Sequence, residues 1–80
     1  MEGDVHSLDQ LLIGKKAIVV NLAAEGAERR RLLDLGLIQG TLVEALHKSP
    51  AGDPIAYFIM GAVIALRNCD AEKVLVSSLM

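Results

Sequence analysis

Three consecutive arginines, Arg29, Arg30 and Arg31, with Asp34 close behind, are the densest group of side chains in this chain able to recognise another molecule. A guanidinium is planar, permanently charged and rich in donors. It suits carboxylates and phosphates, and a rigid helix holds such groups with less entropic loss than a loop. The chemistry expected of Arg29, Arg30, Arg31 and Asp34 is therefore partner binding. Spacing also allows a simpler use. Arg30 and Arg31 lie four and three residues before Asp34, so each pair could stabilise the helix by a few tenths of a kcal/mol, roughly. Glu25 and Glu28 could complete a solvated, self-paired face.

Other reactive residues are isolated. His6 and His47 are far apart, and Cys69 is the sole thiol. No pair among them has the spacing of a local metal-ligand or nucleophile set. Fe²⁺ accepts imidazole and carboxylate, and His47, Cys69, Asp53 or Asp70 could meet only through folding. No catalytic set, cofactor or dedicated metal site is expected, and the protein is read as a non-enzyme. There is no Gly-x-x-x-x-Gly-Lys-Ser/Thr phosphate loop, so GTP hydrolysis by the chain itself is not expected either.

The elements that would position the arginines follow from periodicity and glycine. Residues 15–23, with a β-branched centre, read as the first strand, burying Ile18, Val20 and Leu22. A helix over about 25–35 places Leu32, Leu33 and Leu35 on one side, continued by Glu28 and Arg29. Ala27, Arg30, Arg31 and Asp34 then face outward. Gly36 supplies the left-handed stop, and Gly40 turns the chain into the next strand. Thr41–Lys48 and Ile55–Met60 form a hairpin around Ser49–Pro54, where Gly52, Asp53 and Pro54 provide turn chemistry. Gly61 joins a further strand, 62–67, by a tight turn or a barrel corner. Ser7 is placed to cap a turn at 8–11, Asp70 to cap one at 71–73, and 74–76 ends the sheet. The expected fold is mainly β: a small barrel of about five strands, closed to remove its edges, with a short helix inserted after strand 1. Residues 1–80 are read as a single domain, with 1–6 flexible.

Composition limits the partners. In 80 residues, 52% are hydrophobic, enough for a dense core in a domain of this size. Tyr57 and Phe58 are the only aromatic residues, and the formal charge is −2. Stacking on single-stranded nucleic acid, proline-rich peptide grooves and bulk attraction to nucleic acid or anionic membranes are accordingly disfavoured. A basic excess is local to 15–31, where Lys15, Lys16 and Arg29 to Arg31 outnumber Glu25 and Glu28. A lone cysteine, no apolar run near the ~20 residues of a membrane span, and an acidic start unlike a signal peptide lead to a cytoplasmic expectation.

Four pieces in order then carry a resemblance over about residues 8–77. They are the Arg-rich stretch; Leu32, Leu35, Gly36, Leu37 and Gly40; Pro50, Gly52, Asp53 and Pro54; and Gly61, Ile64, Ala65, Leu66, Arg67 and Ala71. The pattern resembles the ferrous iron transport protein A (FeoA) family. That resemblance implies an SH3-like barrel and a small cytosolic accessory or regulator of ferrous iron uptake. Its partner would be the cytosolic GTP-binding part of a membrane Fe(II) transporter (FeoB-like), docked through the arginine helix and the neighbouring barrel edge. An arginine reaching into that GTP site is the sharpest form of the idea. The same module occurs in iron-dependent repressors, which gives an alternative role with a transcriptional repressor. Direct binding of a transition metal ion is a third. No nucleic acid and no direct membrane insertion are expected, and a homo-oligomer could form through an open barrel edge or through apolar residues beyond the core.

Overall fold

Ala17 and Val19, inside the β-branched run, are fully buried, and so are Val43 and Val76, which lie opposite them on the neighbouring strands. The computed structural model describes residues 4–79. In chain order these form β1 (Val5–Ser7), a 3₁₀ turn (Leu8–Gln10), β2 (Lys16–Leu22), α1 (Gly26–Asp34), β3 (Leu42–Lys48), β4 (Ile55–Ile59), β5 (Ala62–Leu66), α2 (Asn68–Ala71) and β6 (Val74–Ser78). One antiparallel sheet runs β1-β6-β2-β3-β4-β5.

The fold is mainly β with the helix inserted early, as expected, but four details differ. There are six strands. β1 is a short addition that β6 templates, through Val5↔Ser77, His6↔Val76 and Ser7↔Leu75. Val5 and His6, expected to be flexible, therefore belong to the ladder, and α1 follows the second strand instead of the first. Residues 1–3 lie outside the described part. The sheet also does not close. β1 and β5 stand at its two ends, so edges are left that a closed barrel would have removed.

Leu22 is buried as expected, but over Ala17–Val20 the buried face of β2 is the opposite of the one expected. Ile18 and Val20 are only half-buried, while Ala17 and Val19 point inward. Alternation cannot choose a face when neighbours on both are apolar. Pairing chooses it here: Ala17 meets Val43 and Val19 meets Val76, and both partners are fully buried. A register shift between Val19 and Asn21 then returns Leu22 to the interior.

The helix ends as its sequence directs. Gly36 has φ +101°, with its N–H on the carbonyl of Leu33 and the N–H of Leu37 on that of Leu32. These two bonds satisfy carbonyls the last turn would otherwise orphan, and Leu37 packs beside Leu32, both fully buried. At the other hairpin, Met60 and Gly61 have φ of 51° and 83°, so the alternative of a barrel corner gives way to a two-residue turn.

Rolling of the sheet is visible in one bond. The Tyr57 hydroxyl on β4 donates to the Leu8 carbonyl at 3.3 Å, joining β4 over one core to the 3₁₀ turn that follows β1, a strand far from it in the sheet order. Tyr57, Leu8, Leu32, Leu37, Ile59, Val19, Val43, Val74 and Val76 are its largest fully buried side chains.

Candidate docking face

Helix α1 buries Leu32 fully and packs half-buried Leu33 against the same core. Two ion pairs add to that anchor. Arg31 Nη2 donates to Asp70 Oδ1 at 2.6 Å, and Lys73 Nζ donates to Glu28 Oε2 at 2.9 Å and Oε1 at 3.2 Å. Glu28 and Arg31 are three apart and thus neighbours on the helix surface. Both reach α2 and the turn into β6. Asp70 holds the Arg31 guanidinium above its ordinary range, first by the hydrogen bond and then by charge, and Glu28 does the same for the Lys73 ammonium.

This pairing divides the four helix residues singled out from the sequence. Arg31, expected to face outward beside Asp34, instead crosses to Asp70, although its side chain stays 54% exposed. Arg29 and Arg30 are exposed and join no ion pair among the described residues; Asp34 is exposed too, and the expected Arg30–Asp34 pair is not formed. Arg29 borders a small notch of ≈ 70 Å³ between α1 and β2 and is not covered, although projection placed it with the buried leucines.

Asp70 was the residue sequence reasoning misplaced. It does not cap a turn at 71–73: α2 spans Asn68–Ala71, and Asp70 lies within it, buried. The capping carboxylate comes from Asp53. Its Oδ1 accepts the N–H of Asn68 at 2.9 Å, its Oδ2 lies 3.6 Å from Arg67 Nε, and Asn68 Nδ2 donates to the Gly52 carbonyl at 3.3 Å. Gly52 and Asp53 therefore tie the β3–β4 hairpin to α2 besides shaping their own turn. Ser7 does precede its turn, but its hydroxyl donates to the Asp9 carboxylate and makes no backbone cap.

A second surface was not foreseen. Ile38, Leu42, Phe58 and Met60 are each more than 40% exposed and border a groove of ≈ 580 Å³ where the α1–β3 connection passes β3 and β4. The only sequence sign was apolar residues in excess of what one core consumes. Among the described residues, His, Cys, Asp and Glu nowhere gather in groups of three or more that could hold a metal ion, so His47, Cys69, Asp53 and Asp70 are not brought together. Nor is any described helix long and apolar enough to cross a membrane.

Comparison with known proteins follows the same line as the motifs. The family model described as FeoA domain matches residues 6–78. A relative in Porphyromonas gingivalis, described as an Fe(2+) transport protein A/Fe(2+) transporter FeoB fusion protein, is 33% identical over 67 residues. The match takes in 84% of this chain but only 8% of the length of that relative. Among solved structures, the FeoA protein of Chlorobium tepidum is 40% identical with a TM-score of 0.85, covering 92% of this chain and 70% of that one. The Stenotrophomonas maltophilia FeoA is 31% identical with a TM-score of 0.78, covering 89% and 88%. It is described as a procaryotic SH3 domain protein complexed with zinc and a candidate ferrous iron transport activating factor. A manganese-dependent transcriptional repressor shares the fold alone, at 19% identity and a TM-score of 0.85, over 99% of this chain and 44% of that one.

Proposed function

The chain belongs to the FeoA family, which is linked to Fe(2+) transport, and on that premise we propose that it is a non-catalytic regulator docking on the cytosolic GTP-binding part of a membrane Fe(II) transporter. The observation that carries the docking surface is the state of α1. Arg29 and Arg30 stand exposed, and unpaired among the described residues, on a helix fixed by Arg31–Asp70 and Lys73–Glu28. Two cations on a held helix meet a partner's carboxylates with little further ordering of the backbone.

The fusion relative supports the choice of partner. There an FeoA-type segment and a transporter share one polypeptide, which raises the effective concentration of each module at the other without any new contact. The domain described here would meet the same kind of partner through its surface. By binding one conformation of the partner better than another, it would shift that partner's equilibrium by its differential affinity.

Titration calorimetry with the purified soluble GTP-binding domain of such a transporter tests the reading. The wild-type chain binds, the double reversal Arg29→Glu/Arg30→Glu weakens binding at least about tenfold, and reversal of exposed Lys48 leaves affinity within about twofold. Failure to bind in any nucleotide state overturns the partner. Equal loss from all reversals, or none from the arginines, overturns the surface.

A further inference from the structure

Strand β5 is a sheet edge without the usual protection. Its five residues, Ala62-Val63-Ile64-Ala65-Leu66, contain no charge and no proline, and its register with β4 is regular throughout. Edge strands of soluble proteins are normally blunted by lysines, prolines, bulges or extreme shortness. The opposite edge follows that rule, since β1 has three residues directly after Asp4.

The turn fixes which backbone groups of β5 are free. Ile59 and Ala62 close the two-residue Met60-Gly61 hairpin and exchange its first ladder bonds. Alternate residues Ala62, Ile64 and Leu66 then bond β4, while Val63 and Ala65 aim their N–H and C=O groups away from the sheet. Val63 is 63% exposed, Ala65 is exposed, and Phe58, opposite Val63 on β4, is 43% exposed. The open backbone row is thus flanked by an apolar strip.

We propose that β5 pairs antiparallel with β5 of a second copy of this chain, across a two-fold axis at Ile64. The sequence of the strand is its own complement in that register. Val63 faces Ala65 of the second copy and Ala62 faces Leu66 of the second copy, so at these positions a large side chain meets a small one, and Ile64 meets its own twin on the axis. The outward groups of Val63 and Ala65 exchange roughly four main-chain hydrogen bonds. Arg67, the residue after the strand, falls opposite Gly61 of the second copy, so the two guanidinium groups do not meet. A shift of two residues either way sets Val63 against its own twin or Ala65 against its own, and halves the outward bonds. The pairing extends one sheet through both copies and does not involve α1, so it stands or falls separately from docking on a transporter.

Sedimentation velocity of the full chain from about 10 µM to about 500 µM, with amide exchange at both ends of that range, tests the proposal. The dimer fraction rises with concentration, and exchange at Val63 and Ala65 slows at least about fivefold, while Ala62 and Ile64, already bonded to β4, change little. Ala65→Pro deletes an outward N–H that β4 does not use and weakens association at least about tenfold. Val63→Lys, which brings two ammonium groups to diagonal positions across the axis, does the same, so a fold-preserving variant is available if proline is not tolerated. A monomer over the whole range overturns the proposal, even if β5 captures a strand of another protein. A dimer indifferent to both changes, or one protected at other amides, overturns it equally.

Discussion

Arg31 Nη2 donates to Asp70 Oδ1 at 2.6 Å across 39 positions of the chain, and the two partners differ in their contact with water. The Asp70 side chain is 11% exposed and that of Arg31 54%. A stranded guanidinium can therefore hydrate where it stands, and a stranded carboxylate cannot. Arg31→Ala should lower the thermal midpoint by about 5 °C or more, and Asp70→Ala by distinctly less. The double variant should recover part of the Arg31→Ala loss. Thermal scans of the four proteins read the cycle directly.

Asp53 joins two elements through one carboxylate. Asp53→Ala removes the acceptor for the Asn68 N–H and should cost about 0.5–2 kcal/mol, the range of a lost helix cap. Arg67→Ala breaks only the 3.6 Å contact of a side chain that is 70% exposed, and should cost well under about 1 kcal/mol. Urea midpoints of the two variants separate capping from ion pairing.

Gly36 and Met60 are in contact and both have positive φ. A Cβ at Gly36 would lie 2.6 Å from Met60 Cγ, and the left-handed backbone alone costs an alanine there about 1–2 kcal/mol. Gly36→Ala should therefore destabilise by at least that amount. Met60→Asn should act in the other direction. It gives the Met60-Gly61 turn the Asn-Gly pair such turns favour, for a gain of about 0.5–1 kcal/mol in denaturant titrations.

Alkaline pH should unfold the protein early. Burial, and then the charge of Asp9, raise the Tyr57 phenol well above its ordinary value of 10.0. Above pH 10 the unfolded state releases that proton while the folded state keeps it, so the unfolded state binds fewer protons and stability falls as pH rises. The slope is about 1.4 kcal/mol per pH unit for one such group. Lys73 acts with the same sign. Its ammonium is held by Glu28, so that stabilisation is complete below the unfolded pKa of 10.5 and is lost as pH climbs through the folded one. Tyr57→Phe should lose about 0.5–1.5 kcal/mol at neutral pH, from the bond to Leu8, and show a shallower decline from about pH 9 to about pH 11.5 in urea midpoints.

Sequence reading succeeded where the decision involved consecutive residues. The helix stop at Gly36 and the turn at Gly40 were legible because positive φ is a local demand that glycine meets best, whereas Gly61 left a tight turn and a barrel corner open. Leu32 was legible as a core residue because helical spacing has one apolar side there. It failed at β2, where Ile18 and Val19 are equally apolar and the face is set by partners on β3 and β6. β1 was invisible for the same reason, being three residues that become a strand only because β6 offers its edge.

For the docking face, the residue types were evident in the run Arg29–Arg31, and their division was not. Helical geometry offered Asp34 to both Arg30 and Arg31, but a pair worth a few tenths of a kcal/mol, roughly, yields to a partner that sits in a drier place. Asp70 is such a partner.

By itself, then, the amino-acid sequence determined a β-rich chain with one glycine-stopped arginine helix, because alternation, helical spacing and left-handed stops act between neighbours. Only the tertiary structure decided which arginine is tied down, which carboxylate caps α2, which face of β2 is inside and which edges stay open. Each of those depends on groups from distant parts of the chain competing for one partner, and no local pattern encodes the winner.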